Sequence, residues 1–258
     1  NFSRVPNRHI ARVQVLLLWR CHAHLLGRPM ADPLQLETIE QNIIQCELCP
    51  RLVEWRQRIG RVKRRAFANE TYWAKPVPGF GDPLARVLIV GLAPGAHGSN
   101  RTGRMFTGDD SGRFLFSALY RVGFANQPGA VSLSDGLELR DVFITALCRC
   151  VPPDNKPTPA EISNCSVYIE QELNALDQIV GLVALGKLAF DAVQKMIYTG
   201  DTDGERSVFG HGVFRDASDG KPWLIGSYHP SRQNTQTGRL TVAMFDAIWQ
   251  RVIELLNQ

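Results

Sequence analysis

The sequence predicts an α/β fold: a three-layer α/β/α sandwich around a four-stranded parallel sheet, preceded by a helical segment that carries a cysteine pair. Three observations lead there. Four short apolar runs, ending at Val90, Leu147, Leu185 and Ser227, alternate with helical stretches, as buried parallel strands alternate with crossover helices. Glycine-, proline- or polar-rich loops follow three of those runs. The composition is also that of a globular chain. The 258 residues, 44% hydrophobic, 21% charged and 9% aromatic, suffice for one well-packed core and exclude collagen, coiled coil and extended disorder.

Residues 1–29 are read as an N-terminal extension, because Met30 stands just ahead of the first well-patterned segment, and residues 30–258 as a single domain. The apolar stretch Val13–Trp19 is flanked by Arg12 and Arg20; it is too short to span a bilayer and does not read as a secretory signal. Leu36, Ile39, Ile43 and Ile44 follow helical spacing into Cys46-Glu-Leu-Cys49-Pro50. Arg86–Val90 reads as the first buried strand. Ser111–Val122 returns to helical spacing and stops before Gly123. Asn126–Leu139 reads as a surface loop and Asp141–Leu147 as the second strand. Thr158-Pro-Ala-Glu161 is a capping box with proline at the first helical position, so a helix is expected from Pro159 to about Leu176. Gln178–Leu185 gives a third strand, Gly186–Ile197 a helix, Thr199–Gly212 a polar loop and Pro222–Ser227 a fourth strand. A helix from about Gly238 to Leu256 closes the chain. Ligands of such sheets bind beyond the carboxyl ends of the strands, where the loops 91–112, 148–158 and 227–238 fall.

Net charge is only +4, so a basic surface must come from local clustering. Arg51–Arg65 supplies one: Arg51, Arg56, Arg58, Arg61, Lys63, Arg64 and Arg65 face a single acid, Glu54, with Trp55 interleaved. The stretch reads either as a phosphate-tracking surface or as a solvated helix face. Six cysteines are too few for a disulfide scaffold of this length and fit a reduced, cytoplasmic setting. Cys46 and Cys49 with Cys150 and Cys165 have the layout of a metal site. Buried structural thiols, a zinc ion and an iron–sulfur cluster all remain open on spacing alone. Cys148 competes with Cys150 for the third place, and Cys21 lies apart.

The loop from Gly91 to Gly112 holds six glycines and a proline, which let backbone approach a ligand and leave N–H groups free. It lacks the Gly-Lys-Ser/Thr ending of a phosphate loop. Phe106 within it suits stacking on a planar base or packing on the core.

The run GLAPGAHGSNRTGRMFTGD at Gly91–Asp109, the run HPSRQNTQTGRLT at His229–Thr241 and the four-cysteine layout together resemble the iron–sulfur uracil-DNA glycosylases, specifically the B-type or family 5 members. The resemblance spans about Leu36 to the C-terminus. Leu92, where A-type (family 4) relatives carry an acid, and Ala146, where they carry asparagine, favour the B-type. The resemblance implies a [4Fe-4S] cluster on Cys46, Cys49, Cys150 and Cys165, with Cys150 preferred because it opens Cys-Val-Pro-Pro. It implies Asp109 as the group that orients water or stabilises the cationic sugar, although capping of the following helix accounts for that residue equally well from sequence alone. His229 would hydrogen-bond the departing base and Asn155 would contact base or water. Phe106 would stack on the flipped base. Gly91, Ala93 and Gly95 would line the site beside Ala146, whose lack of an amide implies a substrate range reaching hypoxanthine.

DNA contacts are expected from Arg232, Gln233, Asn234, Arg101 and Arg104; His97 and His211 carry no firm role. The implied protein is a monomeric, monofunctional glycosylase that acts on a flipped base of double-stranded DNA and has no membrane partner. No lysine occurs in the loops 91–112 and 227–238, which disfavours Schiff-base strand cleavage. The rival readings are an A-type uracil-specific enzyme and a non-catalytic iron–sulfur module that binds DNA or senses redox state.

Overall fold

A computed structural model describes residues 33–198, 207–218 and 220–258. The extension read over residues 1–29, with Cys21, and part of the polar loop read over 199–212 lie outside the described residues.

Helix α1 (Pro33–Ile44) and helix α2 (Pro50–Val62) flank the first cysteine pair. Strand β1 (Phe80–Gly81) and strand β2 (Val87–Gly91) lead into the one-turn helix α3 (Ser99–Thr102) and then α4 (Asp110–Arg121). Strand β3 (Val142–Ala146), helix α5 (Pro159–Ala175), strand β4 (Gly181–Leu185) and helix α6 (Lys187–Ile197) come next. Strand β5 (Phe214–Arg215), strand β6 (Trp223–Ser227), helix α7 (Arg232–Gln236) and helix α8 (Val242–Leu256) complete the order.

The strands form one sheet in the order β1-β3-β2-β4-β6-β5. The four expected strands are its parallel centre, with Val87 opposite both Val142 and Gly181, and Gly181 opposite Trp223. The expectation of four strands is corrected to six, because β1 and β5 add antiparallel to the two edges. Each edge strand is two residues long, too short for periodicity to register, and such short edges leave little backbone free for pairing with another chain.

Every residue of β2, β3, β4 and β6 is buried, as helices on both faces require. Along β2 the side chains alternate. Val87 and Ile89 join the core beneath α4 and α8, while Leu88 and Val90 join the core beneath α5 and α6. Helix α8 offers Phe245, Ile248, Trp249 and Val252 at helical spacing, and truncating the fully buried Trp249 to Ala is expected to cost about 3–5 kcal/mol. The capping box at α5 is present in full: Thr158 Oγ1 accepts from Glu161 N, and Glu161 accepts from Thr158 N (2.7 Å). No helix among the described residues is long and apolar enough to cross a membrane.

Chain connections leave β2 and β4 in opposite directions, β2 toward β3 and β4 toward β6. This places a switch point between neighbouring strands, where open α/β sheets bind ligands.

Candidate active site

The loop leaving β2 folds back over the strand end and delivers Asp109 as the N-cap of α4, where its carboxylate accepts the N–H of Gly112 (2.9 Å). Glycines make the fit possible. A Cβ on Gly98 would collide with the Asp109 side chain, and one on Gly95 would sit 3.0 Å from Asp109 Oδ2. Burial pushes the carboxyl of Asp109 above its ordinary value, with neighbouring Asp110 adding in the same direction, against the N–H groups of Gly112 and Ser111 and the charge of Arg101. A half-buried carboxylate that is only partly paired can take up further hydrogen bonds. The cap role therefore leaves part of the carboxylate available.

His229 follows β6 and sits half-buried against Gly186, whose φ of +101° ends β4 and whose added Cβ would stand 3.5 Å from that of His229. Desolvation holds the His229 imidazole down to about 4, so the ring is neutral near pH 7. Phe106 lies beside it, with ring centroids 5.9 Å apart and planes inclined by 29°. Phe106 also covers the end of β2, since a Cβ on Gly91 would lie 3.1 Å from its ring. Its φ of +52° is left-handed backbone, uncommon for a bulky residue and a recurrent mark of functional loops. Gly91 pairs in register with Ala146, so the two small residues sit side by side at the strand ends, while Ala93 and Gly95 are half-buried further along the loop.

Several expected DNA contacts turn inward. Arg104 is buried, donates to both oxygens of Asp135 (2.9 and 2.7 Å) and braces Thr107 Oγ1 (2.9 Å). It lines, with Trp73, Phe80 and Leu133, a cavity of about 430 Å³ to which neither Asp109 nor His229 contributes. Arg101 is spent on the carbonyls of His97 (2.8 Å) and Gly108 (3.0 Å), on an ion pair with Glu70 and on the face of Phe67. Asn234 donates to the carbonyl of His229 (2.9 Å) and so holds the loop. In the free protein all three side chains make bonds within the chain, and Arg104 and Arg101 are the more deeply engaged. Arg232 and Gln233 remain exposed, and Arg232 Nε stands 3.9 Å from Asp110 across the site. Asn155 is exposed on the Pro153–Asn155 turn with a φ of +56°, apart from the bonds that fix Asp109 and His229.

His211, which has no assigned role in the sequence motifs, supports the loop of His229. Its Nδ1 accepts from Tyr228 N (3.2 Å), which leaves Nε2 to donate to Met244 O (3.2 Å). Sequence reasoning misses this because the residue lies in a different loop, and only the β5–β6 pairing brings the two together.

Cys46 and Cys49 follow α1, Cys150 lies beyond β3, and Cys165 is on α5. All are free thiols. Cys46, Cys49 and Cys165 each act electrostatically on Cys150, whose thiol burial pushes up to about 12 against the charge of Arg56. Cys148 is wholly buried and donates to the Cys165 sulfur, raising its own thiol and lowering that of Cys165. Among the described residues no three His, Cys, Asp or Glu side chains close around a point as a single bound ion requires. Thiolates around one zinc ion stand roughly 3.8 Å apart, given Zn–S near 2.3 Å, whereas the ligands of a four-iron cluster bind different irons and stand farther apart. Two buried guanidinium groups face this pocket. Arg56 Nη1 lies 3.9 Å from Cys150 Sγ. Arg149 bonds Glu172 (2.6 Å) but leaves Nε and Nη1 unpartnered. Free thiols beside incompletely paired buried cations fit an anionic thiolate-bound group.

The basic stretch divides between two surfaces. Arg51 pairs with Glu161 (2.7 Å) and Arg56 is buried, whereas Arg58, Arg61, Arg64 and Arg65 are exposed.

Residues 78–253 match the model of the uracil DNA glycosylase superfamily. A protein of Thermus thermophilus named type-5 uracil-DNA glycosylase is 50% identical over 210 residues, covering 81% of this chain and 93% of the relative. One of the same name from Mycobacterium bovis is 49% identical over 211 residues, covering 81% of this chain and 78% of the relative. A type-4 uracil-DNA glycosylase of Archaeoglobus fulgidus is 34% identical over 114 residues, 44% of this chain and 49% of the relative. With the parallel sheet, the Gly91–Asp109 loop and His229 at the end of β6 in place, the chain belongs to the uracil DNA glycosylase superfamily, in its type-5 branch.

Proposed function

We propose that this chain is a monofunctional uracil-DNA glycosylase of DNA repair, which takes a flipped nucleotide from duplex DNA and hydrolyses the bond between deoxyribose and base, leaving an abasic site. The observation that carries this is the meeting of two distant loops. Phe106, three residues before Asp109, lies on the neutral ring of His229.

In the reaction the glycosidic electron pair leaves with the base, the sugar gains positive charge at C1′, and a water oxygen bonds that carbon as its proton passes to the Asp109 carboxylate and from there to solvent. Asp109 orients the water and offsets the sugar's charge. His229, neutral at working pH, donates a hydrogen bond to the O2 region of the leaving base without transferring a full proton. Phe106 stacks on the base. Asn155 contacts base or water once DNA is bound and the geometry of the free protein has tightened. Ala146 imposes no amide pattern on the base edge, so hypoxanthine and other deaminated bases are accepted beside uracil. Leu92 and Ala146 together weigh against a uracil-only A-type enzyme.

Cys46, Cys49, Cys150 and Cys165 would hold a [4Fe-4S] cluster, with Cys148 as a neighbouring thiol. When bound, the cluster supplies a cross-link between the helical cysteine segment and the loop beyond β3. The exposed Arg58, Arg61, Arg64 and Arg65, with Arg232 and Gln233, track phosphates and the neighbours of the flipped nucleotide. The reading is of a monomer working on DNA in the cytoplasm, with residues 30–258 as its catalytic domain. Incubation with duplexes containing U:G, U:A or hypoxanthine:T tests it. Release of uracil and hypoxanthine with no strand cleavage is expected, release of uracil alone would contradict the broad range read from Ala146, and no release by cluster-loaded protein would sink the proposal.

A further inference from the structure

Arg56 is one of the least accessible charged side chains in the protein, at 3% exposure. It occupies α2 one turn beyond buried Leu52, on the face that turns away from the exposed arginines of the same helix. Its Nη1 lies 3.9 Å from Cys150 Sγ, its Nη2 is 3.9 Å from a carboxylate oxygen of the exposed Glu47, and its Nε has no partner. A buried cation so thinly paired is destabilising unless negative charge stands beside it. The same residue reaches the other way through its backbone, where its carbonyl accepts the side-chain amide of Asn100 (3.4 Å). Asn100 is wholly buried, and its Oδ1 is unpartnered. Its backbone N–H donates to Gly95 O (3.0 Å) and its carbonyl accepts Ala74 N (3.0 Å). Gly95 is one of the two glycines whose bare Cα leaves room for Asp109.

We infer that Arg56 is a positioning residue that joins the cysteine pocket to the Asp109 loop, its guanidinium stabilising the Cys150 sulfur of a bound anionic cluster and its carbonyl anchoring Asn100. The inference rests on the cluster reading above. It gives the cluster a local consequence: occupancy fixes the guanidinium, this fixes the helix turn, and Asn100 passes the constraint to Gly95. Arg56 itself touches neither substrate nor the reacting atoms.

The test uses full-length protein purified with its iron and sulfide content measured. Arg56→Gln is expected to speed loss of the cluster absorbance under chelator about 10- to 100-fold, the range for partners of metal ligands. It should also move the midpoint potential to more negative values, because a positive charge beside the cluster favours the added electron. Arg56→Lys, which keeps the charge, should restore the potential. An unchanged lifetime and potential in a folded Arg56→Gln protein would overturn the inference and leave the cluster reading standing.

Should Arg56→Gln fail to fold, hydrogen exchange on the wild-type chain decides. Amides from Gly98 to Gly103 should lose protection when the cluster is removed, and equal protection with and without it would overturn the link. Wild-type protein that binds zinc or no metal overturns the cluster reading and the inference together.

Discussion

The Phe106 ring lies on the His229 imidazole with 5.9 Å between centroids, and this pairing joins the loop after β2 to the loop after β6 across the switch point of the sheet. In the proposed function this pairing marks the place where a planar base would stack on Phe106. Replacing Phe106 by Leu keeps an apolar side chain against Gly91 but removes the aromatic face. Base stacking is worth about 1–3 kcal/mol, so kcat/KM for uracil release should fall by about 5- to 150-fold. Steady-state kinetics on a U:G duplex check it, and a variant as fast as wild type would remove stacking from the account.

The cap that Asp109 provides and the catalytic role proposed for it can be separated by one substitution. Asparagine is as good an N-cap as aspartate, so Asp109→Asn should retain the cap on Gly112 N while losing the carboxylate. Single-turnover base release should slow about 10²- to 10⁴-fold with duplex affinity little changed. Equal rates for the two proteins would mean that Asp109 serves the helix alone.

Burial raises Asp109 above its ordinary 3.8, so the folded state binds its proton more readily than the unfolded chain. The stabilisation from that proton is complete below 3.8 and is lost as pH rises through the raised folded value. Base release should decline as the pH falls through that same raised value, where the carboxylate takes up its proton. Asp109→Asn should therefore be at least as thermally stable as wild type at pH 7, with the difference fading at acid pH. Denaturation midpoints across pH measure this, and a variant less stable at pH 7 would contradict it.

The exposed arginines of α2 and the turn after it should act on affinity through salt. Every phosphate that a variant no longer neutralises lowers the slope of log K against log salt by about 0.9. Arg61→Ala combined with Arg64→Ala should flatten the slope by up to about 2 without altering single-turnover release. Arg104→Ala, by contrast, breaks a buried pair with Asp135 and should lower stability by about 3–5 kcal/mol. Salt titrations and unfolding curves distinguish the two outcomes.

The parallel centre of the sheet was legible because each buried strand is a continuous apolar run and the helices between them announce their ends, Thr158 and Glu161 most plainly. The edge strands were not, since two residues carry no period. The two long motif strings single out Asp109, Phe106 and His229, and the fold brings Phe106 and His229 together. The inward turn of Arg101, Arg104 and Asn234 could not be read from them, because their partners Glu70, Asp135 and the carbonyl of His229 are fixed only by tertiary folding. Arg56 illustrates the same limit from the other side. Among seven basic residues it is the buried one, set one turn beyond Leu52 on the face that the fold covers.

The most direct test of the central claim is single-turnover release of uracil from a U:G duplex by cluster-loaded wild type and by Asp109→Asn and His229→Ala proteins of matched DNA affinity. Rapid release by wild type, slowed at least about 100-fold in each variant, is the expected result. Release at wild-type rates in both variants, or none by the wild type, would contradict a catalytic site built on Asp109 and His229.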